Sequence, residues 1–381
     1  MPSLWLVVLA VGAAIVFDFT NGFHDTANAM ATTIATRALP PRVAVGLAAI
    51  LNFVGAFISV AVAATIASGI VQEGLVTVQI VFAGLVGAIL WNVTTWYLGI
   101  PSSSSHALVG GVVGSVLAAI GSKGVIWTGL ASKVIIPAVL APFVCGLAAW
   151  IATRISYRAT QSVEKDASER GFRLSQILSS SLVALAHGTN DAQKTMGVIV
   201  LILVAGGRLA PDAGVPTWVK VVCATAIALG TFSGGWRVIR TLGTRVTEIF
   251  SPQGFSAETA SSTTILASSY FGFSLSTTQV VSGGVMGTGL ARAGGVVHWS
   301  VVRNMVIAWC LTLPCAGLVG AGAYGIESSF SNINVGVTFV AGIAAVILVA
   351  IFFRAQTHNR VGADNVIEPE FRPEAGAALA A

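Results

Sequence analysis

The chain is a succession of apolar runs, most of them about as long as the hydrocarbon core of a bilayer is thick. A helix needs roughly 20 mostly apolar residues to cross that core. Such runs lie at about 4–36, 43–69, 77–97, 102–120, 134–153, 175–206, 217–240, 255–271, 274–291, 301–325 and 335–353. Of the 381 residues, 55% are hydrophobic and only 9% charged, and the mean hydropathy is +0.85. Soluble domains carry about 25% charged residues, so there is little room here for one. The expected fold is an all-α polytopic membrane protein with about 10–12 membrane segments, of which 102–120 and 274–291 are short enough to be re-entrant hairpins. The net charge is +5. Its basic residues gather in short loops: Arg154, Arg158, Lys165, Arg170 and Arg173 in one, Arg237, Arg240 and Arg245 in another. That placement marks cytoplasmic loops and leaves no basic groove for nucleic acid. The loops near Glu73 and Glu327 carry no Lys or Arg and suit the outside, where counting back also puts the N-terminus. Cys145, Cys223, Cys310 and Cys315 lie in apolar runs without metal-ligand spacing and read as buried hydrophobes. No basic stretch precedes the first run, which reads as a retained span, not a cleaved signal peptide.

Two runs, 4–36 and 175–206, read as interrupted by what a span ordinarily excludes. Residues 21–30 read NGFHDTANAM, and residues 187–196 read HGTNDAQKTM. A charged side chain at bilayer depth costs several kcal/mol or more on most scales (roughly 3 to 17). Such groups mark a path for a substrate, an ion or a proton. The two stretches align without gaps: Gly22 over Gly188, His24 over Asn190, Asp25 over Asp191 and Asn28 over Lys194. A second pair follows each at similar spacing. Residues 99–115, GIPSSSSHALVGGVVGS, align with 272–288, GFSLSTTQVVSGGVMGT, which puts Ser103, Ser104 and Ser105 over Ser276, Thr277 and Thr278. Two motifs recurring in the same order indicate two copies of one unit. Each copy has five segments, an odd number, so the second should insert upside down. Inverted-topology repeats with interrupted helices meeting near the midplane are a transporter architecture.

The hydroxyl runs admit two readings. A Ser or Thr at the start of a helix caps free backbone N–H groups, and one residue suffices for that. Several hydroxyls beside a helix N-terminus also make an oxyanion site, and two such termini could enclose a phosphate-sized ligand. Ser103, Ser104, Ser105, Ser276, Thr277 and Thr278 are therefore candidate substrate ligands, with Thr26 and Gln193 beside them. Asp25 and Asp191 would repel an anion, so their place is beside a cation or proton that travels with it. His24, Asn28, Asn190 and Lys194 complete that candidate set. Asp191 and Lys194, three apart on one helical face, could equally form an internal ion pair. Asp18 lies on about the same face as Asp25 and reads as a proton site or a structural partner. His106 and His187 read as hydrogen-bonding groups or titrating ones. No catalytic residue, resident metal or cofactor is expected.

With those residues in view, the sequence resembles the inorganic phosphate transporter (PiT) family, bacterial low-affinity type. The resemblance rests on NGFHDTANAMATTIATRAL (21–39), WNVTTWYLGIPSSSSHALVGG (91–111), ALAHGTNDAQK (184–194), GTFSGGWRVIRTLG (230–243), STTQ (276–279) and AWCLTLP (308–314). It implies phosphate uptake driven by a cation gradient, inverted repeats with the site at their interface, and a homodimer in the cell inner (plasma) membrane. Sodium-driven members have N-D-x-x-N in both halves. Here the copies read H-D-x-x-N and N-D-x-x-K, which suggests that the Lys194 ammonium takes the place of one sodium ion and leaves protons as coupling species. The coupling ion is thus H+ or Na+, and a divalent metal could travel with phosphate as a neutral complex. Serine at 274 and glutamine at 279 depart from the proline and histidine common in the family. Alternatives are a sulfate permease of the same family, a passive channel and a membrane-embedded enzyme. The division expected is a first repeat over 1–153, a cytoplasmic linker over 154–174, a second repeat over 175–325, an additional helix over 326–353, and a polar, disordered tail over 354–381.

Overall fold

A computed structural model describes residues 2–358 and 360–367. Among these the secondary structure is helical, and the only β pairings are two isolated bridges. The first half contains α1 (Leu4–Ala35), α2 (Pro41–Gly55), α3 (Ala61–Ser68), α4 (Val78–Leu98), α5 (Ser104–Ile120), a single turn α6 (Trp127–Leu130) and α7 (Ile136–Ala159). The second contains α8 (Lys165–Ala205), α9 (Thr217–Ser233), α10 (Trp236–Arg240), α11 (Ser251–Tyr270), α12 (Thr277–Ala291) and α13 (Trp299–Ser328), and α14 (Ile333–Thr357) follows. The stretches Trp127–Ala159 and Thr217–Arg245 each pass through one π turn.

The polar stretches do not interrupt their helices. Both α1 and α8 run unbroken through them, because the i to i−4 ladder is indifferent to side chains that find partners elsewhere. The breaks fall at other places. α4 ends at Gly99 (φ 67°) and α11 is followed by Gly272 (φ 69°), left-handed positions that glycine adopts without strain. An extended stretch then leads into α5 and α12, each capped by a hydroxyl: Ser103 accepts from the His106 N–H and Ser276 from the Gln279 N–H. α9 and α10 meet at a bend of 62°. By length and composition, five helical stretches among the described residues suffice to cross a membrane, or six with the α9–α10 pair. The remaining expected segments fall short because they are brief, as in α5 and α12, or because they carry polar side chains, as in α8 and α11.

The two halves interlock. α5 packs on α13 of the other half, and α12 packs on α7. α1 packs on α9, and α2 on α8. Small residues permit these approaches: a Cβ on Gly22 would strike the Ile227 carbonyl, and one on Gly188 the Asn52 carbonyl. Gly114 lies likewise against Gly317, and Gly287 against Gly146. Even the bridges correspond, Val71 with Val125 and Thr247 with Val297. The contacts are thus reciprocal between the halves.

Several expectations from sequence need correction. The stretch 154–174 is mostly helix, since α7 runs to Ala159 and α8 starts at Lys165. Glu327 is not in a loop; it lies buried in the last turn of α13. The polar tail is ordered as far as it is described: α14 continues to Thr357, Val366 is buried, and Arg240 donates to the Asn365 carbonyl at 2.5 Å. Residues 368–381 lie outside the described residues.

Candidate functional site

The apolar interior falls into two cores. One takes Leu6–Phe17 of α1 and Ala192–Ile202 of α8; the other takes Ala27–Ile34 of α1 and Val183–Ala186 of α8. Between them lies the polar band of both helices. Into that band come the N-termini of α5 and α12.

Asp25 is buried and surrounded by donors. His24 Nδ1 lies 2.6 Å from its Oδ1. The Ser104 hydroxyl donates to its Oδ2 at 2.8 Å, and Thr277 and Thr278 reach it at 3.3 and 3.4 Å. Two helix N-termini thus converge on one carboxylate, where the partial positive charge of each favours an anion. His24 is steadied by Thr95 and Ser102, 3.2 and 3.3 Å from its Nε2. Asn28 donates from Nδ2 to Thr277 and Thr278 at 3.2 and 2.9 Å.

Asp191 is held differently. The Lys194 ammonium donates to its Oδ1, to the Ser105 hydroxyl at 2.6 Å and to the Leu275 carbonyl at 2.8 Å. Three oxygens around a fully buried ammonium form the kind of shell an alkali cation takes. The Thr277 hydroxyl also reaches Asp191 Oδ2, at 3.1 Å. It has one proton and stands between two carboxylates, so it can satisfy only one at a time. His187 Nε2 lies 3.1 Å from Asp191 Oδ2 and 3.9 Å from Asp25 Oδ2. Its Nδ1 faces the Asn52 Oδ1 at 3.1 Å, while Asn52 Nδ2 donates to Thr231. With Nδ1 donating to an amide oxygen, a neutral imidazole would turn the Nε2 lone pair on two carboxylates. That arrangement calls for a proton or another cation between them. Asp25, His187 and Asp191 do present ligand atoms within 4.8 Å of one another. The fixed charges point the same way: two carboxylates against one ammonium leave one negative charge when both imidazoles are neutral.

The sequence-predicted residues are thereby sorted. Asp25, His24, Asn28, Asp191, Lys194, Ser104, Ser105, Thr277 and Thr278 form one cluster. Ser103 and Ser276 spend their hydroxyls as caps at its edge. Asn190 donates to Ser269 on α11 at 2.8 Å, the counterpart of His24 with Thr95 on α4. The amide oxygens of Asn28 and Asn190 remain without partners among the described residues. Thr26 and Gln193 turn away: Thr26 donates to the Gly22 carbonyl, and Gln193 accepts from the Val62 N–H at the start of α3. Sequence reading left His187 ambiguous and missed Asn52, Thr95, Ser102 and Ser269. It also missed buried Glu258, which accepts from Thr32, Thr33, Ser179 and Gln176 at 2.5–3.0 Å. The available signal was a lone glutamate within an apolar run.

A buried charged cluster where two interlocked helical halves meet fits a membrane transporter. The chain belongs to the phosphate transporter family, which it matches over residues 21–167 and 155–320, once for each half. It is 58% identical over 325 residues to a Mycobacterium tuberculosis protein named "Probable low-affinity inorganic phosphate transporter", covering 85% of this chain and 78% of that one. It is 43% identical to a protein of the same name from Rhizobium meliloti, covering 84% and 96%. A solved structure titled "The sodium-dependent phosphate transporter" superposes with a TM-score of 0.77 at 26% identity, covering 85% of this chain and 99% of that one. These relatives are transporters, and the protein is not an enzyme.

Proposed function

We propose that the protein imports inorganic phosphate across the cell inner membrane by symport with protons, through alternating access of two inverted repeats, 1–153 and 175–325. The observation that carries this reading is the Lys194 ammonium, seated among Asp191, Ser105 and the Leu275 carbonyl. A cation fixed to the protein already fills one cation position, and the remaining negative charge calls for a mobile one. Phosphate would enter at the N-termini of α5 and α12 and take over the hydroxyls that now hold Asp25. Ser104, Ser105, Thr277 and Thr278 are its ligands in this reading; His24, Asp25, Asn28, Asn190, Asp191 and Lys194 hold the coupling charge. The donor set of Asp25, His187 and Asp191 also suits a divalent metal carried with phosphate as cargo. Two copies of the chain would form the working dimer.

Reconstituted uptake decides, with pH, sodium and magnesium gradients imposed one at a time. Accumulation should follow the pH gradient and be lost in Asp25→Asn and Asp191→Asn. Accumulation on a sodium gradient alone would replace the proton by sodium, the ion named for the structural relative. Strong competition by sulfate against labelled phosphate would overturn the choice of anion. Counterflow of labelled for unlabelled phosphate separates a carrier from a channel.

A further inference from the structure

Asp18 stands outside the central cluster. It lies two helical turns before Asp25, about 10 Å along α1 and on nearly the same face, and it is fully buried. Its neighbours come from two other helices: Thr195 on α8, directly after Lys194, and Cys223 on α9. Both groups lie beside its carboxyl, yet both oxygens of Asp18 and the Thr195 hydroxyl lack a partner at normal hydrogen-bonding distance among the described residues. The charged groups that reach it are Asp191, which opposes an anion there, and Lys194, which favours one but is already engaged by Asp191. Phe17, Ala192, Met196 and Cys223, which flank the three, belong to one apolar core. The other half has no counterpart, since the gapless alignment puts Ala184 opposite Asp18 and Ala29 opposite Thr195.

An unpaired carboxylate in such a place costs several kcal/mol, and the group escapes that cost by taking a proton. We propose that Asp18 carries a proton that moves with phosphate, with Thr195 and Cys223 as the groups that steady its anion once the proton leaves. An O–H bond forms on one carboxyl oxygen at loading and breaks at release, the proton passing to water; no other bond changes. Loading is tied to the central site through charge. While phosphate is bound, its negative charge opposes an anion at Asp18 and occupies the Lys194 ammonium, so the proton stays; once phosphate leaves, Lys194 again favours the Asp18 anion and the proton can leave. This inference rests on the proton-coupled reading above.

The test is reconstituted full-length protein carrying Asp18→Asn, measured for pH-driven accumulation and for counterflow. One pH unit supports about tenfold accumulation for each proton carried per phosphate. Asp18→Asn should lower accumulation about tenfold while counterflow stays within about twofold of the parent. Accumulation equal to the parent's overturns the role of Asp18 and leaves proton coupling standing. A parent that accumulates on sodium alone removes both. Should Asp18→Asn lose counterflow too, infrared spectroscopy of the parent and Asp18→Glu decides. A protonated-carboxyl band that responds to phosphate in the parent, with accumulation regained in Asp18→Glu, supports the assignment. Absence of either overturns it.

Discussion

The α1 and α8 halves of the site present the same aspartate on the same scaffold and balance it in different ways. Asp25 is surrounded by hydroxyls and an imidazole, all of them neutral donors in the simplest protonation state. Asp191 is clamped by an ammonium from its own helix. The two positions align, and Lys194 stands where α1 has Asn28. In the proposed cycle that ammonium keeps one position filled, and the half whose carboxylate has no fixed cation is the one that takes up and gives back the mobile ion. What distinguishes the halves is therefore their charge, since the backbone frame is shared.

The hardest blow to that contrast is Lys194→Met. It leaves Asp191 buried without its cation, and breaking one side of such a pair costs about 3–5 kcal/mol. Melting of the purified protein should fall markedly and uptake should vanish; a melting point equal to the parent's would show that His187 alone can balance Asp191. Asp25→Asn should separate function from stability. Its partners are hydroxyls and an imidazole that an amide can still engage, so stability should shift by about 1 kcal/mol, while uptake falls by a hundredfold or more, about 2.7 kcal/mol.

Lys194→Asn would restore N-D-x-x-N in the second half and make the halves more alike. Uptake at fixed pH should then acquire a sodium dependence, roughly tenfold between its absence and saturation. Unchanged ion dependence would mean that the ammonium does not occupy a cation position. The smallest effects belong to the hydroxyl runs. Ser103→Ala removes a cap and should cost about 1 kcal/mol of stability with little change in half-saturation for phosphate. Ser104→Ala should leave stability nearly intact and raise half-saturation several-fold, about 1 kcal/mol in binding.

Much of this was legible in the chain because it was written twice. The alignment of Asp25 with Asp191 and of Ser104 with Thr277 points to the residues that cluster. Two things were not legible. Polar residues inside α1 and α8 suggested breaks that do not exist, because a backbone ladder survives any side chain whose needs are met across the bundle. Residues such as His187, Asn52 and Ser102 act through contacts between helices far apart in sequence, which no local pattern encodes. The same limit misplaced Gln193, whose motif position promised a ligand and whose side chain instead caps α3.

The packing of α5 on α13 and of α12 on α7 has a consequence for how the protein is made. α5 leaves the ribosome long before its seat, α13, has been synthesised, and α12 closes on α7, made well before it. A half-chain ending near Arg158 would hold its serine-capped helix against α4, with the face that meets α13 uncovered, so its packing is completed only with the whole polypeptide. Contacts this distant in sequence are intrinsically slow to close. A single half standing alone would need a second copy to seat its hydroxyl-capped helix, so the two halves are complete only together.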